Sequence, residues 1–285
     1  MGYVDEAFAL LKQNLEITNT ELDLAKTRHV RIRDHIETEW TLIKSFLTGS
    51  YDRQTKTKKL KDVDIFVVID PDGPQGYLAN GTGRTAVNEL LKVLKTKWDD
   101  VKADDYVVTV YYAGEEVASY EVAPVFPRDG GGYLMPCGND WMATDPDIHA
   151  DLVTAKNKDC DKKFVPFVKM VKGINREAGD PITPSFLIEV MALELVSAPF
   201  TRYQDEIRWF LASVADQITD DWPDPAHLGP DVNSQMTLTE RERVADIVRG
   251  WLQVCEKAIL QEDASKERAA VETWRELFGN RMPRP

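Results

Sequence analysis

The sequence predicts an α+β protein with two lobes, because helical and strand patterns occupy separate parts of its 285 residues. Apolar residues recur at helical spacing over residues 3–46. Runs rich in β-branched residues follow within residues 62–125, and the pattern after Trp141 is almost wholly helical. A chain of this length also exceeds the usual size of one hydrophobic core. We therefore expect a mixed-sheet lobe with a long N-terminal helix at residues 1–136 and a helical lobe at residues 137–285.

The N-terminal region predicts one long helix or two helices in series. No glycine occurs between Gly2 and Gly49, and no proline interrupts the segment. The apolar positions at spacings of three, four and seven include Val4, Phe8, Leu11, Leu15 and Leu22.

The middle of the chain predicts three strands. The first covers residues 62–70 and ends at the turn residues Pro71-Asp72-Gly73-Pro74, before a loop and a helix over residues 84–98. The other two, residues 106–112 and 117–125, are joined closely enough to form a hairpin.

The C-terminal half carries helix-start signals. Asp or Thr precedes proline at residues 145–146 and 183–184, which favours a capped helix with proline in its first turn. Thr239 and Glu242 have the spacing of a capping box and predict a long helix that runs to about Phe278. We expect the helical beginning and end of the chain to pack together.

Composition argues against a secreted or membrane protein. No apolar run approaches the roughly 20 residues that a membrane-spanning helix needs, and the N-terminus lacks a basic region before an apolar stretch. Three widely separated cysteines, Cys137, Cys160 and Cys255, are typical of reduced thiols in a cytoplasmic protein. We therefore expect a cytoplasmic location and no membrane partner.

The formal net charge of −13 argues against a protein that grips a nucleic-acid duplex, because such proteins carry a basic surface. A local exception precedes the first predicted strand, at Lys56, Lys58, Lys59 and Lys61. We expect a small anionic ligand at one site, and no requirement for double-stranded DNA.

The chemistry is indicated by Gly49-Ser50, followed twelve residues later by Asp62-Val63-Asp64. Side chains alternate along a strand, so Asp62 and Asp64 project from one face. Two adjacent carboxylates repel each other, and a divalent cation removes that conflict. Such a pair alone is more often a solvated strand end, and a Gly-Ser pair alone carries little information. Their order and spacing together favour a metal site that binds phosphate.

Glu121 is the candidate for a third acid, because a charge in the middle of a strand is otherwise costly. Two-metal sites that transfer phosphorus groups require such a residue beside the aspartate pair. We expect two Mg²⁺ or Mn²⁺ ions held by Asp62, Asp64 and Glu121.

These segments resemble the signature of polymerase-β-like nucleotidyltransferases, and within them the bacterial cGAS/DncV-like (CD-NTase) family of CBASS anti-phage systems. The matching segments are residues 49–55 (GSYDRQT), 62–68 (DVDIFVV), 121–124 (EVAP) and 141–146 (WMATDP), with Asn157 beyond them. The resemblance covers residues 47–195, about half of the chain. It implies a bilobed polymerase-β-like fold with an oligoadenylate-synthase-like helical lobe.

The resemblance also implies roles for individual residues. Gly49 and Ser50 would contact the donor triphosphate, and the three acids would hold the metals. In the second lobe, Lys172 would reach the triphosphate, Ser185 would contact a phosphate and Phe186 would stack on the donor base. A solvated helix face for Lys172 and a core position for Phe186 stay open as alternatives.

The implied activity is condensation of ATP and other nucleoside triphosphates into a cyclic di- or trinucleotide, which activates an effector protein encoded elsewhere. Two other interpretations stay open. The acceptor could be a tRNA, a protein or a small molecule, or the chain could be a catalytically impaired nucleotide-binding regulator. The last is favoured by Glu121, because the family usually has aspartate at this position.

Overall fold

The computed structural model describes residues 2–285 and divides into two compact units, a sheet unit and a helical unit. The sheet unit is Ile17–Ala150, and the helical unit combines residues 2–16 with Asp151–Pro285. This division differs from the boundary predicted at residue 136. Helix α1 (Tyr3–Leu15) belongs to the helical unit, because its apolar face is buried in the helical core.

The sheet unit contains the predicted helices and strands, together with one short helix and four strands that the sequence did not predict. Its helices are α2 (Asn19–Ile36), α3 (Gly49–Asp52) and α4 (Gly83–Lys95), with a 3₁₀ turn at Gly76–Asn80. Its strands are β1 (Leu42–Leu47), β2 (Asp62–Ile69), β3 (Val101–Ala103), β4 (Val108–Tyr111), β5 (Ser119–Pro127), β6 (Tyr133–Cys137) and β7 (Asp140–Thr144).

The sheet is mixed, with strand order β1-β2-β5-β4-β3 and with β6 and β7 extending from β5. Strands β2 and β5 run parallel, and the other pairs are antiparallel. The predicted hairpin is present as β4 and β5, in which Val108 pairs with Val122. The predicted α+β class is therefore confirmed.

The two faces of β2 differ in their chemistry. Val63, Ile65, Val67 and Ile69 are fully buried in the core that also contains the apolar faces of α2 and α4. Burial of each such side chain contributes about 1.5–3 kcal/mol. The opposite face begins with Asp62 and Asp64 and continues into a small apolar cluster that contains Phe66 and Val68. The buried face thus fixes the register that presents the two aspartates together.

The helical unit packs the beginning and end of the chain together, as expected. Its further helices are α5 (Pro146–Asp159), of which the part from Asp151 onward lies in this unit, α6 (Phe164–Glu177), α7 (Phe186–Leu195), α8 (Tyr203–Gln217), α9 (Leu238–Asp263) and α10 (Glu267–Phe278), followed by a 3₁₀ turn at Gly279–Arg281. The rings of Phe8 and Trp274 meet edge to face with their centroids 5.1 Å apart. None of the helices within residues 2–285 combines the length and apolar character that a membrane span requires.

Two predicted helices have different bounds in the structure. The N-terminal helical region ends at Ile36, and Leu42–Leu47 pairs antiparallel with β2. A short apolar run fits a buried strand as well as a helix, so the spacing of the apolar residues in Leu42–Leu47 does not decide between the two. The predicted continuous C-terminal helix is wrong, because α9 and α10 are separated around Ser265, whose φ is +59°.

Of the three predicted helix starts in the C-terminal half, one is confirmed and two are displaced by two residues. The box at the start of α9 uses Thr237 and Glu240, not Thr239 and Glu242. Helix α5 begins at Pro146 as predicted, with Asp145 accepting hydrogen bonds from the next turn. Helix α7 begins at Phe186, two residues after the predicted proline.

Glu21 links α2 to the segment that leads into β2. Its carboxylate accepts hydrogen bonds from Thr18 N at 2.7 Å and from Leu60 N at 2.9 Å, and its side chain is buried. Burial raises the pKa of Glu21, but the hydrogen bonds from Thr18 and Leu60 outweigh it and hold the pKa below its ordinary value. The ionised carboxylate therefore stabilises the folded state.

We predict that Glu21→Ala lowers the free energy of unfolding by about 1–3 kcal/mol at pH 7, because Leu60 N–H is left buried without its acceptor. Because the pKa of Glu21 is lowered on folding, its contribution is present above its ordinary pKa and is lost as the pH falls through the lowered value. Urea unfolding of both proteins at pH 7 and in acid measures the difference.

The matched control is Glu240→Ala, which removes the same capping interaction from α9 at an exposed site. We expect it to cost less than Glu21→Ala. Equal losses from the two substitutions would contradict a special role for the Leu60 contact.

Candidate active site

The parallel pairing of β2 with β5 brings the acidic residues together. Asp64 pairs directly with Glu121, and Asp62 pairs with Ser119, two positions earlier on the same strand. Adjacent strands lie about 4.8 Å apart, so the Asp64 and Glu121 side chains are neighbours on one face. On the other side of Glu121, β4 places Thr109 in register.

Gly49 is the first residue of the short helix α3, a single turn that contacts Asp64. Its φ of +64° lies in the left-handed region, and a Cβ at this position would overlap a carboxylate oxygen of Asp64. The turn is also joined to β2 by a hydrogen bond of 2.9 Å from Thr48 N to the Asp64 carbonyl oxygen. Glycine is therefore required here for the aspartate side chain to lie against the turn.

Ser50 organises the loop after this turn through its carbonyl oxygen. That oxygen accepts hydrogen bonds from Thr55 N at 3.0 Å and from Lys56 N at 3.2 Å. Thr55 is fully buried and Arg53 nearly so, although both are polar. The loop therefore folds back on the Gly-Ser turn and brings Lys56 close to the acidic face.

Lys56 is a site residue that the sequence analysis did not single out. Its ammonium lies 3.9 Å from Asp62 Oδ1 and 3.7 Å from Asp64 Oδ2, and the residue is only 7% exposed. It also donates a hydrogen bond to the Asp62 carbonyl oxygen. The sequence showed Lys56 only as one of four neighbouring lysines, and nothing in that pattern separates it from the others.

The three carboxylates repel one another. Burial, and then the charges of Asp64 and Asp62, raise the pKa of Glu121 to about 7, while Lys56 acts in the opposite direction. A divalent cation would relieve the repulsion among these three carboxylates. The donor atoms of the three side chains are all oxygen, as Mg²⁺ and Mn²⁺ prefer. Within residues 2–285, no three His, Cys, Asp or Glu side chains are arranged so that they could hold a metal ion as they stand.

The predicted contacts of the second lobe lie in the helical unit. Lys172, in α6, is buried and forms an ion pair of 2.6 Å with Glu189 of α7, which is fully buried. A solvated helix face for Lys172 is therefore wrong. Ser185 is exposed immediately before α7, and Phe186, the first residue of α7, is partly buried against the helical core.

Comparison with known proteins gives a family match. The family model described as the Second Messenger Oligonucleotide or Dinucleotide Synthetase domain matches residues 1–157. A cyclic AMP-AMP-AMP synthase of an Acinetobacter species is 25% identical, and the alignment covers 98% of this chain and 85% of that protein. A probable cyclic nucleotide synthase of Bacillus cereus is 22% identical over 82% of this chain and 81% of that protein.

Solved structures show the same fold over nearly the whole chain. CdnC of Escherichia coli MS115-1, determined with ATP, has a TM-score of 0.73 at 19% identity, covering 98% of each chain. The CD-NTase CdnG of Bradyrhizobium diazoefficiens, determined with GTP, has a TM-score of 0.76 at 14% identity, covering 99% of this chain and 96% of that one. These likenesses confirm the fold that the sequence resemblance implied.

We predict that Gly49→Ala destabilises the protein more than Gly114→Ala does. Both glycines have positive φ, so both substitutions incur strain of about 1–2 kcal/mol. Outside residues 113–115, no described atom lies within 4 Å of a Cβ at residue 114, whereas a Cβ at residue 49 overlaps Asp64. Thermal unfolding of the two variants measures the difference, and equal shifts would show that Asp64 does not lie against Gly49.

A second prediction concerns pH. Because folding raises the pKa of Glu121 from 4.5 to about 7, its contribution to stability is present below the lower value and lost as the pH rises towards the upper one. In EDTA, the unfolding midpoint of the unmodified protein should therefore fall relative to Glu121→Gln as the pH rises through this window. Parallel midpoints across the window would contradict the close approach of the three acids.

Proposed function

The chain belongs to the family of Second Messenger Oligonucleotide or Dinucleotide Synthetase domains, a family of nucleotidyltransferases, and from this membership we propose that it condenses nucleoside triphosphates into a cyclic di- or trinucleotide for anti-phage defence. The observation that supports this most directly is the pairing of Asp64 with Glu121, with Asp62 on the same face. The product would activate an effector protein encoded elsewhere.

ATP is the first substrate to test. The Acinetobacter relative that aligns along 98% of this chain is named a cyclic AMP-AMP-AMP synthase. The structural neighbours CdnC and CdnG were determined with ATP and GTP. These proteins support purine nucleoside triphosphates as the substrate class, and adenylate rings as the first product to look for.

Asp62, Asp64 and Glu121 are the residues that would hold divalent metal ions. Their side chains share one face, supply only oxygen ligands and carry more negative charge than Lys56 can balance. Two bound Mg²⁺ or Mn²⁺ ions would supply stabilisation of charge on the attacking and leaving oxygens. The rigid register of β2 and β5 would hold the three acids in place throughout the reaction.

Glu121 would also accept the proton of the attacking hydroxyl. This role follows from the family resemblance. The pKa of about 7 belongs to the metal-free protein, in which burial and the charges of Asp64 and Asp62 raise it. A bound divalent ion would lower this pKa, so that Glu121 would be ionised when it holds the metal.

The remaining contacts would orient the donor nucleotide. Gly49 allows close approach of the backbone, and the N–H and hydroxyl groups of Ser50 are suited to phosphate oxygens. We assign Lys172 and Ser185 to the phosphates and Phe186 to the donor base, as the family resemblance implies.

We predict that the protein converts ATP, with Mg²⁺ or Mn²⁺, into a phosphatase-resistant product, and that Asp64→Asn lowers the rate by at least on the order of 10²-fold. That is the upper range found when even an outer partner of a metal site is lost. Asp70→Asn, just beyond the other end of β2, is the matched control and should retain the rate. Radiolabelled nucleotide and mass spectrometry of the product provide the measurement.

Other outcomes would favour different functions. A product that forms only when a tRNA, a protein or a small molecule is added would establish a transferase with an external acceptor. Binding of ATP without turnover, with activity gained in Glu121→Asp, would establish an impaired nucleotide-binding regulator. Either result would contradict the self-contained cyclase.

A further inference from the structure

Lys56 has an unusual position for a lysine. Its side chain is almost completely buried, and its ammonium lies within 4 Å of both Asp62 and Asp64. Burying an ammonium is costly unless opposite charges compensate it. The two aspartates supply that compensation, and Lys56 in turn reduces the repulsion between them. The Lys56 ammonium thus lowers the repulsion between the two aspartates, as a bound cation would.

The ion-pair distances show how this lysine is held. Charge-assisted hydrogen bonds have typical lengths of about 2.7–2.9 Å, whereas the ammonium lies 3.7 Å and 3.9 Å from the nearest carboxylate oxygens. Its hydrogen bond goes to the Asp62 carbonyl oxygen. The carboxylate oxygens are therefore balanced by a nearby charge without being bound in short ion pairs to it, and they stay available as ligands.

The backbone of Lys56 is fixed close to the proposed phosphate contact. Lys56 N donates to the Ser50 carbonyl oxygen, and Thr55 N donates to the same atom. Movement of the ammonium therefore requires rotation of the side chain only. A triphosphate at Ser50 would bring negative charge close to the base of this side chain.

We propose that Lys56 is an internal counter-ion, which balances Asp62 and Asp64 in the nucleotide-free protein and withdraws towards the triphosphate when the divalent ions bind. The inference rests on the proposed function, because it concerns the same carboxylates. A divalent ion held by Asp62 and Asp64 would lie close to the ammonium and repel it. Lys56 therefore weakens metal binding until the nucleotide arrives, and it couples the binding of metal to the binding of substrate.

Binding of Mn²⁺ to the nucleotide-free protein tests the proposal. Electron paramagnetic resonance measures free Mn²⁺ and needs no turnover. We expect Lys56→Gln, which retains a hydrogen-bond donor without the charge, to bind Mn²⁺ on the order of tenfold more tightly than the unmodified protein, because like-charge repulsion is removed. Lys56→Met serves as a second neutral variant, so the test does not depend on the folding of one protein.

Two controls separate local charge from other effects. Lys56→Arg retains the charge and should bind Mn²⁺ as weakly as the unmodified protein. Lys95→Met removes one charge from the exposed end of α4 and should not change the affinity. When a non-hydrolysable ATP analogue is added, the unmodified protein and Lys56→Gln should reach similar Mn²⁺ affinities.

Neutral variants that bind Mn²⁺ no more tightly than the unmodified protein would overturn the role of Lys56. Failure of this inference and failure of the proposed function are distinguishable. If the unmodified protein makes a cyclic product but the neutral variants show no gain in affinity, only the counter-ion is wrong. Tighter binding in Lys56→Gln that disappears when Asp64→Asn is added would support the proposed position of the ion.

Discussion

The structure depends on the parallel pairing of β2 with β5, which places Asp64 beside Glu121. The pairing is maintained by the opposite face of β2, where Val63, Ile65 and Val67 are fully buried. A shift of one residue would move this apolar set to the acidic face and would separate the three acids. Hydrophobic burial therefore provides the free energy that holds the mutually repelling carboxylates together. Because these carboxylates repel one another, binding of cations beside them is favourable.

Much of this arrangement is visible in the sequence. Alternation along a strand is enough to place Asp62 and Asp64 on one face, and the mid-strand position of Glu121 marks it as the candidate third acid. The hairpin and the helix-start signal at Pro146 follow from local chemistry as well. The family and its polymerase-β-like fold follow from the motifs read as a set, and the family and structure comparisons agree with them.

Other features depend on contacts distant in sequence, so local patterns do not predict them. Leu42–Leu47 is a strand because β2 is available to pair with it, although its apolar spacing also fits a helix. The capping box predicted at Thr239 and Glu242 lies inside α9, and Thr237 with Glu240, which has the same spacing, caps the helix. Lys56 is the clearest case, because only the folding of its loop onto Ser50 brings its ammonium to the aspartates.

The central claim is that Asp62, Asp64 and Glu121 together bind the divalent ions that carry the nucleotide. The most direct measurement is anomalous X-ray scattering from crystals grown with Mn²⁺ and a non-hydrolysable ATP analogue. The account predicts manganese peaks in contact with oxygens of all three carboxylates. Manganese bound elsewhere, with Glu121 contacting no ion, would contradict it.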